Sequence, residues 1–130
     1  MRVMVMVKAT KNSEADAKPT LELLEAMGKY NEELIKAGVM LAGDGLRASS
    51  MGKRVRFTGK GGAKTVLDGP FAETKEQLLG FYVIDCDDLD HALSVAKDLA
   101  AASGSAGAFE VRPLLVFHDW KAQAAETAPA

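Results

Sequence analysis

A chain of 130 residues with 48% hydrophobic content has room for one domain around an apolar core. A formal charge of −2 excludes the strong net basicity that drives non-specific binding to nucleic acid or anionic membrane. A single cysteine, Cys86, excludes an intrachain disulfide and suits a reducing compartment.

Residues 2–8 alternate Val3, Val5 and Val7 with Met4 and Met6, which predicts a strand apolar on both faces. The run is too short, and too soon interrupted by charge, for a signal peptide. No later run approaches the roughly 18 apolar residues of a membrane span. A cytoplasmic protein with no membrane partner is expected. Residues 9–18 are polar and loop-like. Pro19 suits a first helical turn, and Leu23, Met27, Tyr30 and Leu34 then recur on one helical face,. Gly38 ends that helix. Val39 to Ala42 reads as a short buried strand, closed by Gly43-Asp44-Gly45.

After a Ser-Ser-Met-Gly loop, Arg54 to Phe57 alternates charged and apolar residues and points Phe57 inward,. Thr58 to Gly62 turns the chain, and Lys64 to Leu67 returns as the partner strand,. The stretch Asp68-Gly69-Pro70-Phe71 follows, with Thr74 and Gln77 spaced as a capping box,. Gly80 to Cys86 predicts another strand, and Asp87 or Asp88 caps a helix to about Ala102,. Residues 103–108 form a Gly/Ser/Ala link, Phe109 to Phe117 a last strand, and Lys121 to Ala130 a disordered tail beyond a single domain of residues 1–120,.

With the hairpin set aside, the order is β-α-β-β-α-β, an α+β ferredoxin-like arrangement with an inserted β-hairpin. Two helices cover only one face of such an antiparallel sheet. The strands at both ends and at 81–84 are apolar on both faces, so a homodimer through the open face is expected.

The chemistry is sparse. Asp68 and Asp44 each end an apolar strand, and their carboxylates are the candidate acid/base pair,. Both also read as ordinary turn residues. Gly69 permits close backbone approach and Pro70 restricts it; Lys75 lies near. Tyr30 reads as core, or as a phenol offered to a cleft. Residues 45–67 carry Arg47, Lys53, Arg54, Arg56, Lys60 and Lys64 and no acid, so Arg47 or Arg56 is the candidate anchor for a small anionic or phenolic ligand. A nucleic-acid partner is the least favoured reading.

Other patterns fail on their own terms. Gly59 to Thr65 lacks the Gly before Lys-Thr and the strand-to-helix context of a phosphate loop,. Residues 85–96 lack the Gly and closing Glu of a calcium loop,. His91 and His118 have no zinc-spaced partner,. Neither a metal nor another cofactor is expected.

The stretches "LAGDGLRASSMGKRVRF", "VLDGPFAETKEQLLGFYVID", "DDLDHALSVAK" and "EVRPL" together resemble DGPF-domain proteins of the YCII-related superfamily, in matching order from about residue 2 to 117. That resemblance implies a dimeric ferredoxin-like fold and a setting beside extracytoplasmic-function sigma factors. Some wider relatives are small-molecule lyases using a His–Asp pair. Their histidine would fall near Met27, where residues 19–37 contain none, so that pair does not carry over. Leu79-Gly80-Phe81 stands where relatives have Gly-Gly-Phe, and the helix after Asp88 lacks their common Trp. Two functions are implied: a lyase or isomerase with a carboxylate base, or a non-catalytic ligand-sensing or protein-interaction module.

Overall fold

The computed structural model describes residues 1–71, 73–103, 107–115 and 117–127, with the side chains of Lys75, Ser103, Phe117, His118 and Asp119 outside that description. Four strands, β1 (Arg2–Lys8), β2 (Met40–Gly45), β5 (Leu78–Asp85) and β6 (Phe109–Pro113), form one sheet in the order β2-β5-β1-β6. Every neighbouring pair is antiparallel. Strands β3 (Lys53–Phe57) and β4 (Lys64–Asp68) form a separate two-stranded sheet. The fold is α+β with an antiparallel sheet, and its strand order is compatible with a ferredoxin-like arrangement.

Helix α2 (Leu21–Lys36) starts where Thr20 Oγ1 accepts from the Leu23 N–H at 3.1 Å. Pro19 therefore precedes the cap rather than sitting in the first turn. The helix ends on Gly38, at φ +73°, where the Gly38 and Val39 amides donate to Ile35 and Leu34 carbonyls,. Asp88 caps helix α3 (Leu89–Ser103), accepting from the His91 N–H at 2.8 Å,. Leu34 of α2 and Ala92, Val95, Ala96 and Leu99 of α3 pack on Val3, Val5 and Ile84. Both helices thus cover the same sheet face, and Cys86 is buried among them with its thiol pushed up by burial,.

Register places Met4 opposite Val83 and Met6 opposite Phe81 on the other face, where all four are half-buried. On β6 that face carries Glu110 and Arg112. The last strand is therefore not apolar on both sides, and it ends at Pro113, just before the Leu114 N–H that donates to the Arg2 carbonyl.

Three further expectations are corrected. Residues 9–18 are not all loop: α1 (Lys11–Glu14) forms there because Thr10 and Ser13 cap one another,. Of the tail expected from residue 121, residues 121–127 are helical, in α4 (Phe117–Thr127), and exposed. Alanine's low cost in a helix favours that outcome. Thr74 and Gln77 make no capping box: Thr74 lies inside a short 3₁₀ turn, Thr74–Glu76, that has no side-chain cap. The link expected at residues 103–108 falls partly outside the described residues.

Candidate functional site

The Asp68-Gly69-Pro70-Phe71 stretch packs against a 3₁₀ turn at Ser49–Met51. The Gly69 N–H donates to the Gly52 carbonyl at 3.0 Å. A Cβ on Gly69 would stand 1.8 Å from the Ser49 carbonyl oxygen, so only glycine fits there. The Gly69–Pro70 peptide is cis. Next, the Phe71 N–H donates to Ser49 Oγ at 3.1 Å. Ser49 Oγ in turn donates to one Glu14 carboxylate oxygen, while the Ser49 N–H donates to the other at 3.0 Å. The Arg54 guanidinium lies 4.1 Å from the centre of the Phe71 ring, a cation–π contact.

The same region holds Arg47 in a two-pronged contact with Asp16, whose Oδ1 accepts from Arg47 Nε at 3.1 Å. Hydrogen bonding to Arg47 outweighs the opposing effect of burial and holds the Asp16 carboxyl below its usual range. The pair's contribution to stability is thus present above the ordinary carboxylate pKa and is lost as pH falls through the lowered one. Arg47 is committed to this pair rather than held open as an anion anchor. Asp68 pairs with Lys53 across the β3–β4 ladder. Arg56 lies opposite Thr65 on the same exposed ladder. Phe57, expected inward, is 70% exposed, on a two-stranded sheet that is separate from the four-stranded one.

The larger opening lies elsewhere, between α2, α3 and the sheet. It is a cavity of about 680 Å³, floored by Val7, Gly80, Tyr82, Phe109 and Val111. Leu23, Met27 and Asn31 line it from α2, and Leu93, Ala96 and Ala100 from α3. Lys8, Asp44 and Lys97 supply its charge. Gly43 keeps the Tyr82 ring close: a Cβ there would lie 3.1 Å from Tyr82 Cδ1. Burial pushes the Tyr82 phenol up, and a hydrogen bond with Asn31 acts in the opposite sense. Asn31 Oδ1 is buried without a hydrogen-bond partner.

The two candidate carboxylates therefore occupy different places. Asp44 lines the large cavity; Asp68 lines neither it nor the smaller, 420 Å³ opening beside Ser49. Tyr30 is not a lining residue either: its hydroxyl reaches Asp98 Oδ2 at 3.4 Å and ties α2 to α3. Burial, then the Asp98 charge, pushes its phenol up. The Lys75 side chain lies outside the described residues. Among the described residues no group of three or more His, Cys, Asp or Glu gathers to hold a metal. His91 Nδ1 instead accepts from the Asp87 N–H at 3.1 Å.

Residues 1–118 match the YCII-related domain. The chain belongs to the YCII-related family. An uncharacterized protein of Rhizobium meliloti (strain 1021) is 62% identical over 56 residues, 43% of this chain and 45% of that protein. The chain thus covers less than half the length of this curated relative. Within this YCII-related domain α2 carries no histidine, and Met27 lines the cavity. No described helix is long and apolar enough to cross a membrane.

Sequence reasoning missed Asn31, Tyr82, Ser49 and Glu14. Asn31 carried a usable signal, being four residues after Met27 and so on the apolar stripe of α2,. A polar residue on such a stripe is buried or faces a cavity. Glu14 and Ser49 carried none, since their contact spans 35 positions.

Proposed function

We propose that this chain is a small-molecule module of the DGPF subfamily, with its ligand in the cavity between the helices and the sheet. The observation that carries the reading is the cavity itself: about 680 Å³, apolar in its depth, with Asp44 at its polar margin. Pockets of that size and character suit small organic ligands. As an enzyme it is a lyase or isomerase in which the Asp44 carboxylate takes a proton from an anionic or phenolic compound. Such proton transfer requires no redox cofactor. Asp68, the other candidate carboxylate, keeps an architectural role in this reading, because its partner is Lys53.

The test is a thermal-shift and turnover screen of small phenols and carboxylates on wild type and Asp44→Asn. Asp44 is exposed, so the variant should keep its stability within about 0.5 kcal/mol. A compound transformed by wild type should be turned over about 100-fold more slowly by the variant. Equal turnover removes Asp44 as the base.

The second reading is a non-catalytic ligand-sensing or interaction module in a sigma-factor-associated, cytoplasmic setting. It is favoured by the hairpin, whose Val55, Phe57 and Val66 are more than half exposed beside Lys53, Arg54 and Arg56. On that reading the screen finds compounds that bind both proteins and are transformed by neither.

For the ferredoxin-like core, the sheet face bearing Met4, Met6, Phe81 and Val83 supports a homodimer, since α2 and α3 lie on the opposite face,. Val83→Asp should convert a dimer to a folded monomer in sedimentation equilibrium. A variant that remains dimeric overturns this interface.

A further inference from the structure

The cavity carries more positive than negative charge on its lining, and that balance narrows the ligand. Two lysines, Lys8 and Lys97, and one carboxylate, Asp44, line it among mostly apolar residues. On α3 the lining residues are Leu93, Ala96, Lys97 and Ala100, the spacing of a single helical face. Lys97 therefore belongs to the apolar stripe that this helix turns to the cavity. Its stem can follow that wall while its exposed head stays in water,. The positions three and four residues away are Leu93, Ser94, Ala100 and Ala101, so no acid on the helix face neutralises it. Asp98, next in sequence, is engaged by the Tyr30 hydroxyl. Lys8 is half-buried at the end of β1, where its N–H donates to the Ala108 carbonyl at 3.0 Å. Among the described residues neither lysine has an ion-pair partner. An anion brought to such ammonium groups makes hydrogen bonds stronger than a neutral head group can, while an apolar body gains by leaving water. A cation would meet two like charges against one carboxylate.

Resting on the pocket reading above, we infer that the cavity takes a carboxylate with an apolar body, its head group held by the Lys8 and Lys97 ammonium groups. Of the anionic and phenolic compounds that reading admits, this selects the carboxylates. The apolar wall accepts the body, and Asp44 repels the head group, which orients the bound compound.

The experiment is calorimetric titration of wild type and the double variant Lys8→Met, Lys97→Met with 2-naphthoate, 2-naphthalenemethanol and 2-naphthylmethylammonium. The three share a ring body and differ in the charge of the head group. Wild type should bind the carboxylate about tenfold more tightly than the alcohol, and the ammonium compound most weakly. In the double variant, which keeps both unbranched stems, the advantage of the carboxylate should vanish while the alcohol binds as before. Equal binding of carboxylate and alcohol by wild type overturns the inference. A preference for the ammonium compound does so too, and assigns the recognition of charge to Asp44. An advantage of the carboxylate that survives in the double variant likewise overturns it. If that variant does not fold, the wild-type ranking decides alone. Failure of all three to bind wild type overturns the pocket reading as well, which separates the two claims.

Discussion

Gly69→Ala should destabilise the domain by about 3 kcal/mol, at the upper end of what an overpacked site costs. The new methyl would stand 1.8 Å from the Ser49 carbonyl oxygen and 2.6 Å from its carbon. Both neighbours are backbone, so neither can swing aside as a long side chain would. Relief requires separating the stretch after β4 from the 3₁₀ turn at Ser49–Met51, which also breaks the bond from the Gly69 amide to Gly52. For a domain of this length the loss corresponds to about 10 °C in midpoint, readable by calorimetry. Asp68→Asn is the control one residue earlier. Its partner Lys53 and Asp68 itself are 67% and 77% exposed, and such surface pairs contribute about 1 kcal/mol or less. If the two variants melt alike, the close approach at Gly69 is not what holds the stretch in place.

Ser49→Ala should cost about 2 kcal/mol, because one hydroxyl serves two partners in a part-buried setting,. Its removal leaves the Phe71 N–H without an acceptor and one Glu14 oxygen without a donor. The Ser49 N–H bond to Glu14 remains, so the loss is partial. The denaturant midpoint should fall with an unchanged slope, since the surface exposed on unfolding is the same. Hydrogen exchange at the Phe71 amide should accelerate more than exchange in β1 or β5, where the strand ladder is untouched,. Uniform acceleration would show that Ser49 acts on global stability alone. A midpoint within error of wild type would remove the Glu14–Ser49–Phe71 chain as a stabilising element.

Taken together these variants treat the Asp-Gly-Pro-Phe stretch as a joint rather than a ligand site. It fastens the end of the hairpin to the turn after β2 and to the short helix α1. On the proposed reading the ligand lies instead in the larger cavity, which Asp44→Asn probes.

Local signals carried much of the architecture. The alternation at residues 2–8, the stripe through Leu23, Met27 and Leu34, and Gly38 at a positive φ are short-range facts of period and backbone conformation. Asp88 as the cap of α3 and the β3–β4 hairpin are of the same kind. Short range also explains two contacts that the sequence could not show. The partners of Arg47 and Tyr30, Asp16 and Asp98, lie 31 and 68 positions away. Phe57 looked inward because alternation says which residues share a face, and nothing about whether that face is covered.

By itself, then, the sequence determined the succession of the main strands and helices, the Asp88 cap of α3 and the glycine that ends α2. Those follow from periodicity and dihedral freedom, which act within a few residues. Only the tertiary structure decided that Asp44 and Asp68 occupy different regions and that Gly69 meets Ser49. It alone also decided that Asn31 and Tyr82 share the lining of one cavity. Each of these depends on which distant segments are brought within hydrogen-bonding reach, and that is set by how the helices and the hairpin close against the sheet.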